Sequence, residues 1–247
     1  MQIFAGVCLL GSCVAGLALG TGLLRAWRRT REVPELSIGI TSLTLAASGA
    51  MLLANARVPV EEQGALRLTV TMVSLLLLAT SSIALGVGFW RIFRPQTRWA
   101  AWLCASASLA LLAWWVLAVV QGGSGLRGEG GLRPLLYNAG RLAIHVWGAW
   151  ECFRYHAMLK RRVAIGLADP LTAHRFWLWG LSTAGVVGSI GVGIYAPYVL
   201  GVNVLVWPPG LFALGALGLF SAVSVWCAFL PPAFYRRLVQ ARSAAAR

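Results

Sequence analysis

The chain has 247 residues, of which 59% are hydrophobic and 11% are charged, and its formal net charge is +14. A soluble domain carries about 25% charged residues, so this composition excludes a water-soluble globule, a disordered chain and a nucleic-acid-binding domain. About 20 apolar residues cross a bilayer as a helix, and the apolar segments predict an all-α bundle of seven such helices. In chain order their predicted bounds are about 3–24, 36–54, 66–90, 99–120, 135–158, 170–195 and 209–230.

Basic residues, glycines and prolines mark the ends of these helices. The basic segment 25–31 stops the first helix, and the glycine-rich stretch 121–134 predicts a loop after the fourth. Asp169 followed by Pro170 predicts the start of the sixth helix, because an acid caps the first turn and proline suits the first helical position. Since proline cannot continue a helix, Pro231 predicts the end of the seventh.

The basic residues are distributed unevenly between the two ends of the predicted helices. Sixteen lie near the ends of helices one, three, five and seven, and four lie in the loops on the other side. Cytoplasmic loops are rich in lysine and arginine, so we expect the N-terminus outside and the C-terminus inside, in the bacterial inner membrane. The positive charge then indicates contact with anionic membrane lipids, and no nucleic-acid partner is needed.

The segment 231–247 predicts a short amphipathic helix on the cytoplasmic leaflet. Its apolar and basic residues alternate at helical spacing, which is typical of helices that lie in the membrane surface. The helix either anchors the end of the bundle in lipid or contacts a cytoplasmic protein. The candidate partner-contact residues of the predicted cytoplasmic side, in this helix and after helix five, are Arg154, Lys160, Arg161, Arg162, Arg236 and Arg237.

No cofactor, metal or catalytic residue is predicted. The single lysine, Lys160, lies in a predicted cytoplasmic loop, where it cannot hold retinal, and His145 is the one histidine deep in a helix, so paired haem ligands are missing. The five cysteines include no C-x-x-C pair and are scattered through apolar segments, a pattern typical of small buried residues and not of a disulfide framework. We therefore do not expect an enzyme.

Helix five carries nearly all of the polar residues of the predicted membrane segments. At about 100° per residue, Asn138, Arg141 and His145 lie on one face, and Glu151 lies about a third of a turn away. An ionisable residue in a membrane helix marks a functional site by default, and Arg141 with His145 suits an acidic ligand group. The predicted ligand-binding residues are Asn138, Arg141, His145, Trp147 and Glu151.

Structural roles for the same residues stay open. Arg141 can extend to the outer headgroups with its stem in the apolar region, and His145 can bond to a hydroxyl of a neighbouring helix. Glu151 can pair with Arg154 or Arg175. Trp147 can simply pack. Serines and threonines in helices two, three and six can bond to their own backbone, as for Thr41, Ser42, Thr69, Thr71, Ser74, Ser182 and Thr183.

Small residues at four-residue spacing indicate close packing between helices. Gly16 and Gly20 form a G-x-x-x-G pair in the first helix, and Ala184 and Gly188 form a similar pair in the sixth. Such pairs let two backbones approach in a membrane. They are consistent with packing inside the bundle or with a homo-oligomer.

Four stretches resemble a family of uncharacterised bacterial seven-helix membrane proteins. They are residues 151–162, the GLADP connector at 166–170, residues 174–180, and the segment 229–235 that contains FLPP. They lie within residues 151–235, a region of about a third of the chain. It implies a seven-helix bundle and no activity. The expected layout is also similar to that of the seven-helix sensor modules that precede bacterial histidine kinases.

A receptor-like function is favoured by this layout, by the polar face of helix five and by the basic cytoplasmic face. A small or lipidic ligand would bind within the bundle, and the signal would pass to a separate cytoplasmic partner. Three alternatives remain open: a small transporter or lipid-handling protein, an enzyme whose site is assembled from several helices, and a structural or accessory subunit of a membrane complex.

Overall fold

The structure of the chain, a computed structural model, describes residues 2–55, 64–121, 132–202, 204 and 207–245. Residues 122–131 of the predicted glycine-rich loop lie outside this part. The described residues form eight helices: α1 Gln2–Thr30, α2 Val33–Asn55, α3 Ala65–Phe93, α4 Arg98–Val120, α5 Leu132–Ala164, α6 Pro170–Tyr198, α7 Pro208–Phe229 and α8 Ala233–Ala245.

The all-helical fold is confirmed. Within the described ranges, six helices are long and apolar enough to cross a membrane: α1, α2, α3, α4, α6 and α7. They indicate a multi-pass membrane protein. The fifth helix, α5, is not among these six, because charged and polar residues are spread along it.

Helix α5 is longer than predicted at both ends. It begins at Leu132, inside the predicted loop, so Pro134 lies in its first turn. Proline is tolerated there because the backbone N–H groups of a first turn have no helical partner. It also continues through Lys160, Arg161 and Arg162 to Ala164, where a connector was predicted. Lysine and arginine are good helix formers, and basic residues are favourable in a last turn.

The predicted start of α6 is confirmed by its cap. Asp169 accepts a hydrogen bond from the backbone N–H of Thr172 at 2.9 Å and one from the Thr172 hydroxyl at 2.9 Å. Pro170 occupies the first helical position. Gly166, in the turn before this cap, has a φ of 75°, a conformation that glycine adopts without strain.

Successive helices from α1 to α7 run in opposite directions. The short links 31–32, 94–97, 165–169 and 230–232 therefore all lie at one end of the bundle, called here the connector end. Six helices form a closed ring in the order α1, α2, α3, α5, α6, α7, and the ring closes where α7 contacts α1. Helix α8 contacts α6 at the connector end.

Helix α4 packs on the outside of this ring, against α3 and α5. One face of α4 is buried: Ala100, Cys104, Ala107, Leu111, Trp114 and Ala118. Its opposite face exposes large apolar side chains such as Trp102, Leu109 and Val120. A helix that is apolar on its exposed face suits a lipid environment.

Two interfaces of the ring use the predicted small residues. A methyl group added at Gly16 would lie 3.0 Å from the Ala46 methyl group on α2, and one added at Gly188 would lie 3.3 Å from Leu217 on α7. The small residues therefore serve helix packing inside the bundle. They bring α1 onto α2 and α6 onto α7.

Candidate functional site

A cavity of about 250 Å³ lies inside the ring, and every ring helix lines it. Its wall is mixed. Small and apolar side chains alternate with hydroxyl groups, and α5 supplies Arg141 and His145. The polar lining residues are Ser12, Thr41, Ser42, Ser81, Ser82, Arg141, His145, Ser182, Thr183, Ser189 and Ser221. Since one water molecule takes up about 30 Å³ of liquid, the cavity has room for a small polar group.

Arg141 is the charged group of this cavity. Its guanidinium carbon lies 5.7 Å from the centre of the Tyr137 ring, and its Nε is buried without a hydrogen-bond partner among the described residues. The described lining includes no aspartate or glutamate. Arg141 as a whole is half-buried. A charge removed from water is costly unless an opposite charge or hydrogen bonds compensate it, so the guanidinium is suited to bind an anion.

The acidic residues of the described chain lie away from Arg141. Glu32 and Glu35 lie at the start of α2, Glu151 lies toward the end of α5, and Asp169 caps α6. All four positions are toward the connector end of the bundle. The positive charge of Arg141 is therefore not neutralised by an acid of the described part of the chain.

His145 lies one helical turn after Arg141 and also lines the cavity. Its Nδ1 is 2.7 Å from the carbonyl oxygen of Arg141. Because a carbonyl oxygen only accepts, Nδ1 is the donor, and Nε2 is the acceptor of the neutral ring. The two side chains can then hold an acidic group together, with Arg141 donating to its oxygens and His145 accepting from a hydroxyl.

Hydroxyl groups complete the polar wall. Thr183 donates a hydrogen bond to its own helix at 2.9 Å, as the sequence analysis allowed, and Ser189 does the same at 3.1 Å. Ser221 is different, because its Oγ is buried and has no hydrogen-bond partner among the described residues. Two of the unpaired buried polar atoms, Arg141 Nε and Ser221 Oγ, thus belong to one cavity.

Aromatic side chains close the cavity toward the connector end. Trp179 lines the cavity, and its ring centre lies 5.2 Å from that of Phe89, 5.7 Å from Phe93 and 5.5 Å from Phe229. These residues come from α3, α6 and α7. The cluster separates the polar cavity from the basic end of the bundle.

Glu151 lies beyond this aromatic cluster and does not line the cavity. Its carboxylate is 1% exposed and accepts hydrogen bonds from Arg94 Nε at 2.7 Å and from Arg154 Nε at 3.0 Å. The predicted pairing with Arg154 is confirmed. The predicted alternative, Arg175, instead donates to the carbonyl oxygen of Ala228 at 3.1 Å.

Two other predicted binding residues also lie outside the cavity lining. Asn138 is half-buried near the start of α5. Trp147 is buried, and its ring centre lies 6.2 Å from that of Phe89 and 5.8 Å from that of Trp99. The structure therefore brings Arg141 and His145 together and leaves Asn138, Trp147 and Glu151 out of the cavity wall.

The predicted partner-contact residues are exposed at the connector end: Arg154, Lys160, Arg161, Arg162, Arg236 and Arg237. Helix α8 is held to α6 by Tyr235, whose hydroxyl lies 2.8 Å from Nδ1 of His174. Burial raises the pKa of Tyr235, and the nearby Cys227 thiol raises it further.

Sequence reasoning missed the hydroxyls on α3 and α7 and the role of Trp179. Ser81, Ser82 and Ser221 look like ordinary small residues in apolar helices, and only the ring arrangement places them on one cavity. A partial signal was present, since Thr41, Ser42, Ser182 and Thr183 form adjacent hydroxyl pairs in α2 and α6.

The described residues contain no group of three or more His, Cys, Asp or Glu side chains that could hold a metal ion. All five cysteines are free. Comparisons with protein-family models, with curated proteins and with solved structures found no match.

Proposed function

We propose that the chain is a receptor-like seven-helix protein of the bacterial inner membrane, with an internal site for a small anionic or lipidic ligand. The observation that carries the proposal is the buried Arg141 Nε, which has no hydrogen-bond partner in the described part of the chain, in a cavity that the similarly unpaired Ser221 hydroxyl also lines. A buried polar group without a partner costs about 1–3 kcal/mol, and more when it is charged. An oxyanion bound at Arg141 would compensate the guanidinium, and the Ser221 hydroxyl lies in the wall of the same cavity.

A seventh span, α5, is part of this proposal. The helix lies in the ring between α3 and α6, and α4 covers it from outside. Its 33 residues extend about 50 Å at 1.5 Å per residue, more than the membrane core requires. Two of the polar side chains that lower its hydropathy, Arg141 and His145, face the cavity, where a membrane helix places such groups.

The proposed orientation follows from the positions of the basic residues in the fold. Arg28, Arg91 and Arg161 lie near the ends of α1, α3 and α5, all at the connector end. Lysine and arginine accumulate in cytoplasmic loops. The connector end is then the cytoplasmic side.

Reporter fusions on the two sides of α5 test the span and the orientation together. A fluorescent protein that folds only in the cytoplasm is expected to be active after Gly166 and inactive after Gln121. A phosphatase that is active only outside is expected to show the reverse. Equal signals at the two positions would rule out a membrane-spanning α5.

Coupling to a cytoplasmic partner is supported by the course of α5. Arg141 and Glu151 are ten residues apart on this helix, about 15 Å along its axis. Glu151 binds Arg94 at the end of α3, and Arg154 is exposed beside it. Helices shift by about 1–2 Å in known switches, so a ligand that displaces α5 would also change the Glu151 contacts at the basic face.

The binding proposal is tested by native mass spectrometry of the purified protein and by its thermal unfolding with acetate or inorganic phosphate. The wild type is expected to retain a bound anion or to gain stability with one of the two anions. Arg141→Gln is expected to lose both effects, and Arg161→Gln, which changes an exposed arginine of the same helix, to keep them. Equal behaviour of wild type and Arg141→Gln would overturn the proposal.

A further inference from the structure

An apolar groove runs along the outer side of the contact between α1 and α7. It is lined by Val7, Leu10, Gly11, Val14, Ala15, Ala18, Ala222, Val223 and Trp226, and its volume is about 580 Å³. From Val7 to Ala18 it follows α1 for about 16 Å. That length is half of the roughly 30 Å hydrocarbon core, or the depth of one lipid leaflet.

The groove and the internal cavity lie on opposite sides of the same thin wall. Ala15 on α1 and Ala222 on α7 line both of them. Each contributes only a methyl group to the wall. At these two positions, a chain lying in the groove is separated from the polar cavity by small side chains.

The contact between α1 and α7 is also looser than the contact between α1 and α2. A methyl group added at Gly11 would meet Leu219 at 3.7 Å, and one added at Gly218 would meet the Ser12 hydroxyl at 3.5 Å, both ordinary contact distances. On the other side of α1, a methyl group at Gly20 would lie 2.5 Å from Leu43. No short link ties α1 to α7, so these two helices can separate without straining a loop.

The cavity and the groove suit the two parts of one kind of molecule. The cavity has room for a small polar group and contains a cation without a described counterion. The groove has the length of one alkyl chain, and its described lining is apolar. A water-soluble anion would occupy only the cavity, and an ordinary membrane lipid at the protein surface would occupy only the groove.

We propose that the seam between α1 and α7 is a lateral opening, through which a single-chain anionic amphiphile of the membrane binds with its oxyanion at Arg141 and its alkyl chain in the groove. This inference rests on the proposed function, because it needs Arg141 to be an anion site, and it specifies the class of ligand. The chain would leave the cavity between Ala15 and Ala222.

The experiment uses a dodecanoate with a photoreactive diazirine near its methyl end, added to the protein in phosphatidylcholine vesicles. Peptide mapping is expected to place most of the competable label on the groove residues of α1 and α7. Unlabelled dodecanoate and dodecyl phosphate should reduce this label, and dodecyltrimethylammonium, which carries the opposite charge, should not.

Two variants, the first with a matched control, distinguish binding in the groove from binding at the anion site. Ala18→Phe fills the groove from an exposed position and is expected to reduce the competable label about tenfold, whereas Ala110→Phe, on the exposed face of α4, should leave it unchanged. Arg141→Gln should abolish the competable label. Stabilisation by acetate or phosphate should survive Ala18→Phe and fail in Arg141→Gln.

The outcomes distinguish the two proposals. The lateral opening would be wrong if the label were spread evenly over α4 and the groove, or if Ala18→Phe did not reduce it. The anion site would stand in that case, provided that short anions still bound through Arg141. If the binding of short anions and of dodecanoate were both independent of Arg141, the proposed anion site would be wrong. This inference, which rests on it, would then also be wrong.

Discussion

The aromatic ring of Phe89 on α3 occupies the space beside Gly148 on α5 in which any larger residue would place its side chain. Phe89 is fully buried, and its ring also contacts those of Phe93, Trp147 and Trp179. Gly148 therefore sets how closely α3 and α5 approach beside the aromatic cluster, on the connector-end side of the cavity.

Gly148→Ala is expected to lower the free energy of unfolding by about 2 kcal/mol, because the added methyl group forces the Phe89 ring out of a packed cluster. The measurement is thermal or denaturant unfolding in detergent. Gly191→Ala is the matched control, since a methyl group there meets no atom within 4 Å and lies on an exposed helix face. It should be neutral or slightly stabilising. Equal losses in the two variants would contradict this role of Gly148.

Glu151→Gln is expected to destabilise the protein by about 2 kcal/mol. The change removes the negative charge that holds Arg94 and Arg154, and breaking a buried ion pair is costly, although both arginines are partly exposed and screened by solvent. A double-mutant cycle with Arg94→Gln measures the coupling between α3 and α5. A coupling energy near zero would show that the short distance contributes no net stability.

Ser221→Ala should separate binding from stability. Its hydroxyl is buried in the cavity wall without a hydrogen-bond partner among the described residues, so removing it is expected to leave the unfolding free energy unchanged or to raise it by up to about 1 kcal/mol. Anion affinity, measured by the thermal shift with phosphate or acetate, should fall about fivefold. Ser108→Ala, which removes a hydroxyl bonded to its own helix on α4, should not change the affinity.

Tyr235→Phe is expected to loosen α8 from α6, because it removes the contact with His174. The loss of about 1 kcal/mol should appear as faster amide exchange in α8 and faster tryptic cleavage at Arg236. Exchange in α6 serves as the internal control. Unchanged exchange in α8 would show that the hydroxyl does not hold the helix.

The same contact predicts a dependence on alkaline pH. Because burial raises the pKa of Tyr235 in the folded state, its contribution to docking is fully present below the ordinary tyrosine value of about 10 and is lost as the pH rises through the higher folded value. Docking of α8 should therefore be constant from about pH 7 to 9 and weaken only above that range. Tyr235→Phe should lack the alkaline weakening.

Local chemistry accounts for what the sequence predicted well. The start of α6 depends on Asp169 and Pro170, which act within one turn of the chain. The shared face of Arg141 and His145 follows from helical spacing alone, and both residues line the cavity. Such features need no knowledge of how the helices are arranged around one another.

Contacts between segments that are distant in the chain could not be predicted from helical spacing and local sequence patterns. The second arginine on Glu151 is Arg94, which lies 57 residues earlier in the chain, and helical spacing could suggest only neighbours such as Arg154. The cavity wall combines Ser221 of α7 with Ser81 of α3 only because the helices form a ring with α4 outside it. Asn138 shares the spacing of Arg141 but lies beyond the cavity wall.

The closure of the ring by α7 against α1 has a consequence for biogenesis. Helices inserted earlier present the hydroxyls of α2 and α3 and the charge of α5 on a surface that stays open until α7, the last ring helix to be synthesised, arrives. The cavity between the ring helices is thus the final part of the bundle to be completed. A chain truncated before Pro208 would keep Arg141 but lack the wall that encloses it, so chains stopped there should be substrates for membrane proteolysis and should bind no anion.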